Sequence, residues 1–510
     1  MVRGGLERRD ALVVGAGFGG LGAGLEFAEA GLSTTVLEAL VYPGGCASTF
    51  ARDGYRFESG ATLFSGFGPG QWFERLVRRH RLGVEIEWLD PVIELVTPDL
   101  RLAVPRSREA FVERLRALPG APASALERFF ARQRRVADAL WPLLDDPERL
   151  PPFGLRGVRF HAARLARYPA FAAVVGRSLA EIARRDGVWE FEPVRVLLDA
   201  LCQITIQCSA SEAEAPFALS TLDYPFRGTG HVKHGIGALA TALAGAVERA
   251  GPDGSGVRYA QRAKAIERVG GSGSRGSWRV HTTRGVFEAP RVALCLLPQN
   301  ARALLEAGAV HDRRARRRLA AAATRVEDGG WGACMLYLVA REPQDAPAKP
   351  THLELVQDPS APFVEGNHLF VSISGRDESG PDGRAPAGHR TLTVSTHVSM
   401  ERLHALGEDE RGAFVGAIQE RMERGLERLA PDWWGGVVHR LPASPRTFER
   451  FTGRWHGFVG GVPRRRGLGH YARLGPLAVA PGLVLVGDSG FPGQSTLATA
   501  LGGAKAARRL

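Results

Sequence analysis

Short apolar runs at the two ends of the chain are each followed by glycine and then by a helical pattern. Leu12 to Val14 is the first run, and its unbroken apolar character suits a strand buried on both faces. A helix is predicted from about Leu21 to Ala30, stopped by Gly31, and a second apolar strand from Thr34 to Leu37. Near the other end, Leu483 to Val486 repeats the buried-strand pattern and a last helix is predicted from about Thr496. In between, "RYAQRAKAIERV" and "SWRVHTTRGVFEA" alternate polar and apolar positions around the flexible "GGSGSRGS", which predicts a hairpin or meander. "RVALCLLP" reads as another buried strand, closing at Pro298. "SREAFVERLRAL" has a helical period, while "HLFVSISG" and "RTLTVSTHVS" read as strands separated by the turn-rich loop from Glu378 to Gly388. No run of about eighteen apolar residues occurs, so no membrane-spanning helix is expected.

Glycine placement gives the pattern its chemistry. Gly15, Gly17 and Gly20 form G-x-G-x-x-G between the first strand and the first helix. Such a turn lets a pyrophosphate rest against bare amides at a helix N-terminus. Glu38, at the end of the second strand, stands where an acid holds a ribose hydroxyl pair and would repel a 2′-phosphate. Strand, helix, second strand and terminal acid together point to dinucleotide binding. The chain then makes a glycine-rich excursion, with Gly44-Gly45 and the run Arg52, Gly54, Tyr55, Phe57, Glu58 and Gly60, instead of a further βα unit. That suits a longer cofactor lying extended across the domain. At the other end, Gly487-Asp488 puts an acid at a strand end, where it can accept a hydroxyl of a polyol, and the last helix N-terminus can stabilise negative charge.

"VVGAGFGGLGAGLEFAEAGLSTTVLEA", "PGGCASTFARDGYRFESGATLFSG", "PRTFERFTGRWHGFVGGVP" and "VGDSGFPGQSTLATALGGAKAA" together resemble the flavin-containing phytoene desaturase and carotenoid isomerase family. "GTGHVKHGIGALATALAGAVERAG" is similar to the family's glycine turn and helix that return the chain to the cofactor domain. The resemblance implies FAD, with Gly15, Gly17, Phe18, Gly19, Gly20 and Glu38 at its adenosine diphosphate end. Gly44, Gly45, Cys46 and Ala47, then Gly60, Ala61 and Thr62, would line its middle. Gly487 and Asp488 would hold the ribityl chain, and Gly493, Gln494, Ser495, Thr496 and Leu497 the pyrimidine end. It implies an α/β fold: a discontinuous Rossmann-type FAD-binding domain with an inserted α+β substrate domain, amine oxidase/phytoene desaturase-like. The cofactor domain would span about 1–90, 228–298 and 441–510, and the substrate domain about 91–227 and 301–440. The implied activity is desaturation or cis–trans isomerisation of a long hydrophobic polyene. Two alternatives stand beside it: a flavin amine oxidase or retinol-saturase-like reductase on another small substrate, and a non-enzymatic lipid-binding relative. Two features depart from the family pattern: His231 and His234 flank "VK" at the central turn, and "ALGGA" in the last helix lacks a serine before glycine.

Composition adds a partner. The 510 residues carry a formal net charge of +12, and only Lys233, Lys264, Lys349 and Lys505 are lysine, so nearly all basic residues are arginine. Clusters at Arg75–Arg81, Arg313–Arg318 and Arg464–Arg466 suggest an anionic membrane surface; no aromatic-interleaved motif points to nucleic acid. The charged N-terminus and five scattered cysteines suit a cytoplasmic protein, peripheral at the inner face of the membrane. No metal site is expected: His231 and His234 have no cysteine or acid nearby in sequence. Cys202 and Cys208 read as core cysteines, and Cys46 as a small residue in a crowded turn. No catalytic acid or base is assigned; Arg454 and His456 in "GRWHG" are candidates only because that strip precedes the flavin-binding end.

Overall fold

The computed structural model describes residues 5–60, 62–270 and 276–510. Its organising element is a six-stranded sheet in the order Gly256–Arg258, Thr34–Leu37, Ala11–Val14, Arg291–Cys295, Leu483–Val486 and Leu477–Ala480. The first five strands are parallel and the last is antiparallel. The two ends of the polypeptide are therefore neighbours, with Arg291–Cys295 paired between them. Side chains alternate across each strand. Val13, Val36, Ala293 and Val484 face a core shared with the helices Phe18–Glu29, Ile236–Ala250 and Thr496–Ala507. Leu12, Val14, Val292 and Leu485 face a second core on the opposite side. Both faces are covered, which is why these strands read as unbroken apolar runs.

The second core is closed by a four-stranded sheet made of Leu6–Arg8, Val286–Ala289, Ser277–Thr282 and Ala263–Val269. This includes the expected meander, with antiparallel pairing of its last three strands. Part of the glycine–serine stretch, 271–275, lies outside the described residues. Helices Pro298–Ala307 and Arg313–Glu327 cover the same core through Ala301, Leu305, Ala315 and Leu319. Residues 301–327 thus pack with the six-stranded sheet, although the sequence assigns them to the substrate side. The physical reason is their amphipathic stripe, which buries against Leu12, Val14 and Leu485.

A seven-stranded sheet runs Val437–Ala443, Trp331–Arg341, His389–Ser399, His368–Ile373, Thr351–Val356, Ile93–Val96 and Arg101–Val104. Leu441 belongs to it, paired with Tyr337, rather than to the cofactor side. One face packs on the Glu408–Leu429 helix. The hairpin Thr49–Arg52/Tyr55–Glu58 lies against the other through Phe57, next to Met335 and Tyr337. A helical cap from Arg108 to Thr221 encloses a separate apolar core, with Cys202 and Cys208 buried in it. Its first helix, Arg108–Arg116, is the predicted one, and Ser107 caps it by accepting from the Ala110 amide at 3.1 Å.

Candidate functional site

A single cavity of about 750 Å³ connects the six-stranded sheet, the seven-stranded sheet and the helical cap. At one end lies the glycine turn. Gly15 adopts φ +98°, and a methyl group on it would stand 2.7 Å from the Cys295 carbonyl oxygen. A methyl on Gly20 would stand 1.9 Å from the Gly15 carbonyl oxygen, so the helix can begin inside the turn only without one. That is why the helix starts at Phe18, three residues before the predicted Leu21. Its N-cap, Gly17, offers no side chain to the first amides, which leaves them for an anion.

Gly44 donates to the Ala16 carbonyl at 2.8 Å, bringing the second glycine pair against the first. Glu38 is buried; one carboxylate oxygen accepts the Ala16 amide at 2.7 Å and the other the Leu40 amide at 2.8 Å. Burial pushes its pKa up, while those amides and Arg262 pull the other way. Cys295 forms the floor under Gly17 and Gly19. Burial pushes its thiol up to about 12 and also raises Cys46, so both remain protonated near neutral pH.

At the far side of the turn, Asp488 receives Arg454 Nη2 at 2.8 Å. Arg454 also donates to the Phe458 carbonyl. The last helix begins at Thr496, where Ser495, at φ +94°, accepts the Ala498 amide at 3.1 Å. Thr62 Oγ1 is buried against this space with no hydrogen-bond partner among the described residues, an unsatisfied group of the kind a bound ligand completes.

Gly15, Gly17, Phe18, Gly19, Glu38, Gly44, Gly45, Cys46, Ala47, Gly60, Thr62, Gly487, Asp488, Gln494, Ser495 and Thr496 all line the cavity. Leu497 does not: it is turned into the core beside Gly66 and Phe73. Gly20 acts behind the turn, and the Gly493 face is filled by the Arg464 guanidinium. Ala61 lies outside the described residues. Of the two candidate acid–base residues, Arg454 lies in the cavity, whereas His456 is exposed and meets His404 on the outside. His231 sits away from the cavity and bonds Glu378, an acid distant in sequence, at 3.1 Å.

Beyond the turn the walls become apolar. Leu140, Leu143, Leu150, Leu201 and Ile204 come from the cap, and Ala333, Met335 and Phe370 from the seven-stranded sheet. Sequence reasoning missed several residues here, notably Gln207, Gln261, Arg262, His397 and Arg464. Alternation in "RTLTVSTHVS" places Ser395 and His397 on one strand face, yet nothing in the sequence says that this face looks into a cavity. Burial pushes His397 down to about 3, with His368 adding to the effect, so its imidazole is neutral. Its ring meets Trp331 edge-on at 5.9 Å.

Residues 13–80 match the family model of an NAD(P)-binding Rossmann-like domain. Over 523 aligned residues the chain is 24% identical to prolycopene isomerase 2, chloroplastic, of an Oncidium hybrid cultivar, covering 99% of this chain and 84% of that protein. It is 30% identical to the neurosporene-forming phytoene desaturase of Cereibacter sphaeroides over 171 residues, 30% of this chain and 32% of the relative. The chain is thus homologous to carotenoid isomerases and phytoene desaturases. A double mutant of putrescine oxidase shares its fold with a TM-score of 0.60 at 16% identity, covering 99% of each chain.

Proposed function

We propose that the chain is an FAD-dependent oxidoreductase acting on a long, apolar, carotenoid-like polyene, by desaturation or by cis–trans isomerisation. The observation that carries this reading is the continuity of one cavity from the glycine turn and Asp488 to an apolar end built from the cap and the seven-stranded sheet. The residues fit the cofactor: a turn closed to side chains, open helix amides, the orphan Thr62 hydroxyl and the Asp488–Arg454 pair. When bound, FAD supplies the hydride chemistry.

The chain's own groups do the rest. Glu38 orients the ribose end, and Arg454 offsets pyrophosphate charge while fixing Asp488 for the polyol. Leu201, Ile204 and Met335 exclude water from the extended chain. His397 is a neutral imidazole on that wall, and burial disfavours its protonation too strongly for it to serve as a base near neutral pH. Gln207, Gly460 and Gln494 line the cavity together with Ser495. By packing, residues 301–327 belong with the cofactor part and 437–443 with the substrate part of the two-domain division.

The reading also includes a bilayer face. Six arginines and no acid occur between Arg149 and Ala180. Phe153, Leu155, Val158 and Leu165 are exposed there, Leu155 at 79%. Leu468, itself 66% exposed, approaches Gly176. Leu150, Phe171 and Leu474 of the same region line the cavity, so the patch surrounds one of its ends. The arginine clusters singled out in the sequence are partly neutralised instead: Arg79 pairs with Glu29, Arg465 with Glu212 and Arg466 with Glu181. Among the described residues no helix is long and apolar enough to cross a membrane.

Heat-released cofactor from the purified protein should be FAD by mass. Incubation with phytoene or poly-cis-lycopene in vesicles should then change the pigment profile. Protein that carries no flavin after loading, or leaves every polyene unchanged, defeats the assignment. In flotation, the protein should rise with phosphatidylglycerol vesicles, and the Leu155→Glu/Val158→Glu variant should not; equal flotation of both removes the bilayer face.

A further inference from the structure

Arg464 lines the cavity against Gly493 and Pro492, and among the described residues it forms no ion pair with a carboxylate. Its Nη2 donates to the Pro492 carbonyl at 2.9 Å, Nη1 lies 3.4 Å from His470 Nδ1, and the guanidinium sits 5.2 Å from the Phe217 ring centre. The nearby acid, Glu214, is already engaged by the Gly176 amide at 2.7 Å, the Gly467 amide at 2.9 Å and the Tyr471 hydroxyl at 2.8 Å. Burial, reinforced by Arg325, pushes Arg464 down to about 10. Arg325 is in turn depressed by burial and by Arg473. A half-buried guanidinium with neutral partners and cationic neighbours is costly to keep, and an anion supplied from outside relieves that cost.

The position narrows the anion. Phe217 and Tyr471 stack at 5.8 Å beside Arg464, and Phe171 and Leu474 continue the wall toward the exposed apolar patch. A ligand reaching Arg464 from this cavity needs an apolar body and an anionic oxygen at its end. From this geometry we infer that Arg464 is a specificity residue that binds the carboxylate terminus of an unsaturated chain, so that the preferred substrate is a polyene acid rather than a pure hydrocarbon. The inference rests on the proposed polyene cavity and adds the chemistry of the chain end. Guanidinium–carboxylate hydrogen bonding in a partly desolvated site favours the acid over its neutral ester by about tenfold or more.

The test titrates the flavin-loaded protein with cis-parinaric acid and with its methyl ester, following the fluorescence of the conjugated tetraene. Wild type should bind the acid about tenfold or more tightly than the ester. Arg464→Met should bind both alike, and Arg464→Lys should keep part of the preference. Flavin content and melting temperature identify any variant that fails to fold, and the wild-type comparison stands without it. Equal binding of acid and ester by wild type, or an undiminished preference in Arg464→Met, overturns the inference while leaving the polyene cavity intact. Failure of both probes to bind overturns the inference and the polyene reading together.

Discussion

Gly20 and Glu38 show how much of the glycine-turn end of the cavity rests on single atoms. A methyl group on Gly20 would lie 1.9 Å from a backbone oxygen that has no rotamer to escape into. Gly20→Ala should therefore lower the melting temperature and release the cofactor, read together as thermal denaturation and bound-flavin absorbance. Glu38 uses both oxygens as acceptors for backbone amides. In Glu38→Gln one amide must face another N–H, an unsatisfied buried donor costing about 1–3 kcal/mol. Denaturant unfolding should register that loss even in protein stripped of flavin; unchanged stability would mean that Glu38 serves the ligand alone. Glu38 is legible from its place at a strand end, and its partners follow from the turn. Arg454 carries no such signal, because its pairing with Asp488 joins residues on different segments.

At the level of elements, the first and last helices meet backbone to backbone. A methyl on Gly503 would stand 1.9 Å from the Gly19 carbonyl oxygen, and one on Gly22 would stand 2.2 Å from the Ala500 carbonyl oxygen. The "ALGGA" that departs from the family pattern is thus the seam that brings the C-terminal helix against the glycine turn. Gly503→Ala should push these helices apart and weaken cofactor binding by a larger factor than Gly412→Ala, at an open helical glycine with nothing within 4 Å. Dissociation constants for FAD, measured by fluorescence quenching, check this, and equal losses would dismiss the seam. The pattern of apolar runs foretold each of these elements. It could not foretell that Pro298–Ala307 and Arg313–Glu327 cover the six-stranded sheet, since an amphipathic stripe names no partner.

Across the whole molecule, a buried ionic cluster ties together the hairpin, the central turn and the loop that joins two neighbouring strands of the seven-stranded sheet, His368–Ile373 and His389–Ser399. Glu378 accepts the Gly375 and His234 amides and faces His231, while Arg384 reaches Glu58 and Glu378. Burial works against the Glu378 charge, yet Arg384 and His231 outweigh it and hold the group well below the ordinary 4.5. Its stabilisation is present above that value and is lost as pH falls through the lower folded one. For His231, burial opposes the charge but Glu378 raises the pKa above 6.5. That contribution is complete below 6.5 and is lost as pH rises through the raised value. Melting temperature should therefore fall, as pH rises above 6.5, more steeply in wild type than in His231→Gln. Parallel curves would place the linkage elsewhere. The turn-rich segment 378–388 reads from sequence as a loop, and only the fold reveals that it delivers Glu378 and Arg384 to the interior.

Local periodicity and glycine spacing, by themselves, determined the buried strands, the glycine turn and helix that follow the first of them, and the acids Glu38 and Asp488 at strand ends. Those features depend on neighbours within a few residues, where backbone geometry and side-chain size decide the outcome. Tertiary structure alone decided that Leu497 serves the core, that His456 faces outward, and that His397 and Arg464 share one cavity. These depend on which surfaces of distant segments are buried together, and a buried charge or an apolar wall acquires its chemistry only from what the fold sets opposite it.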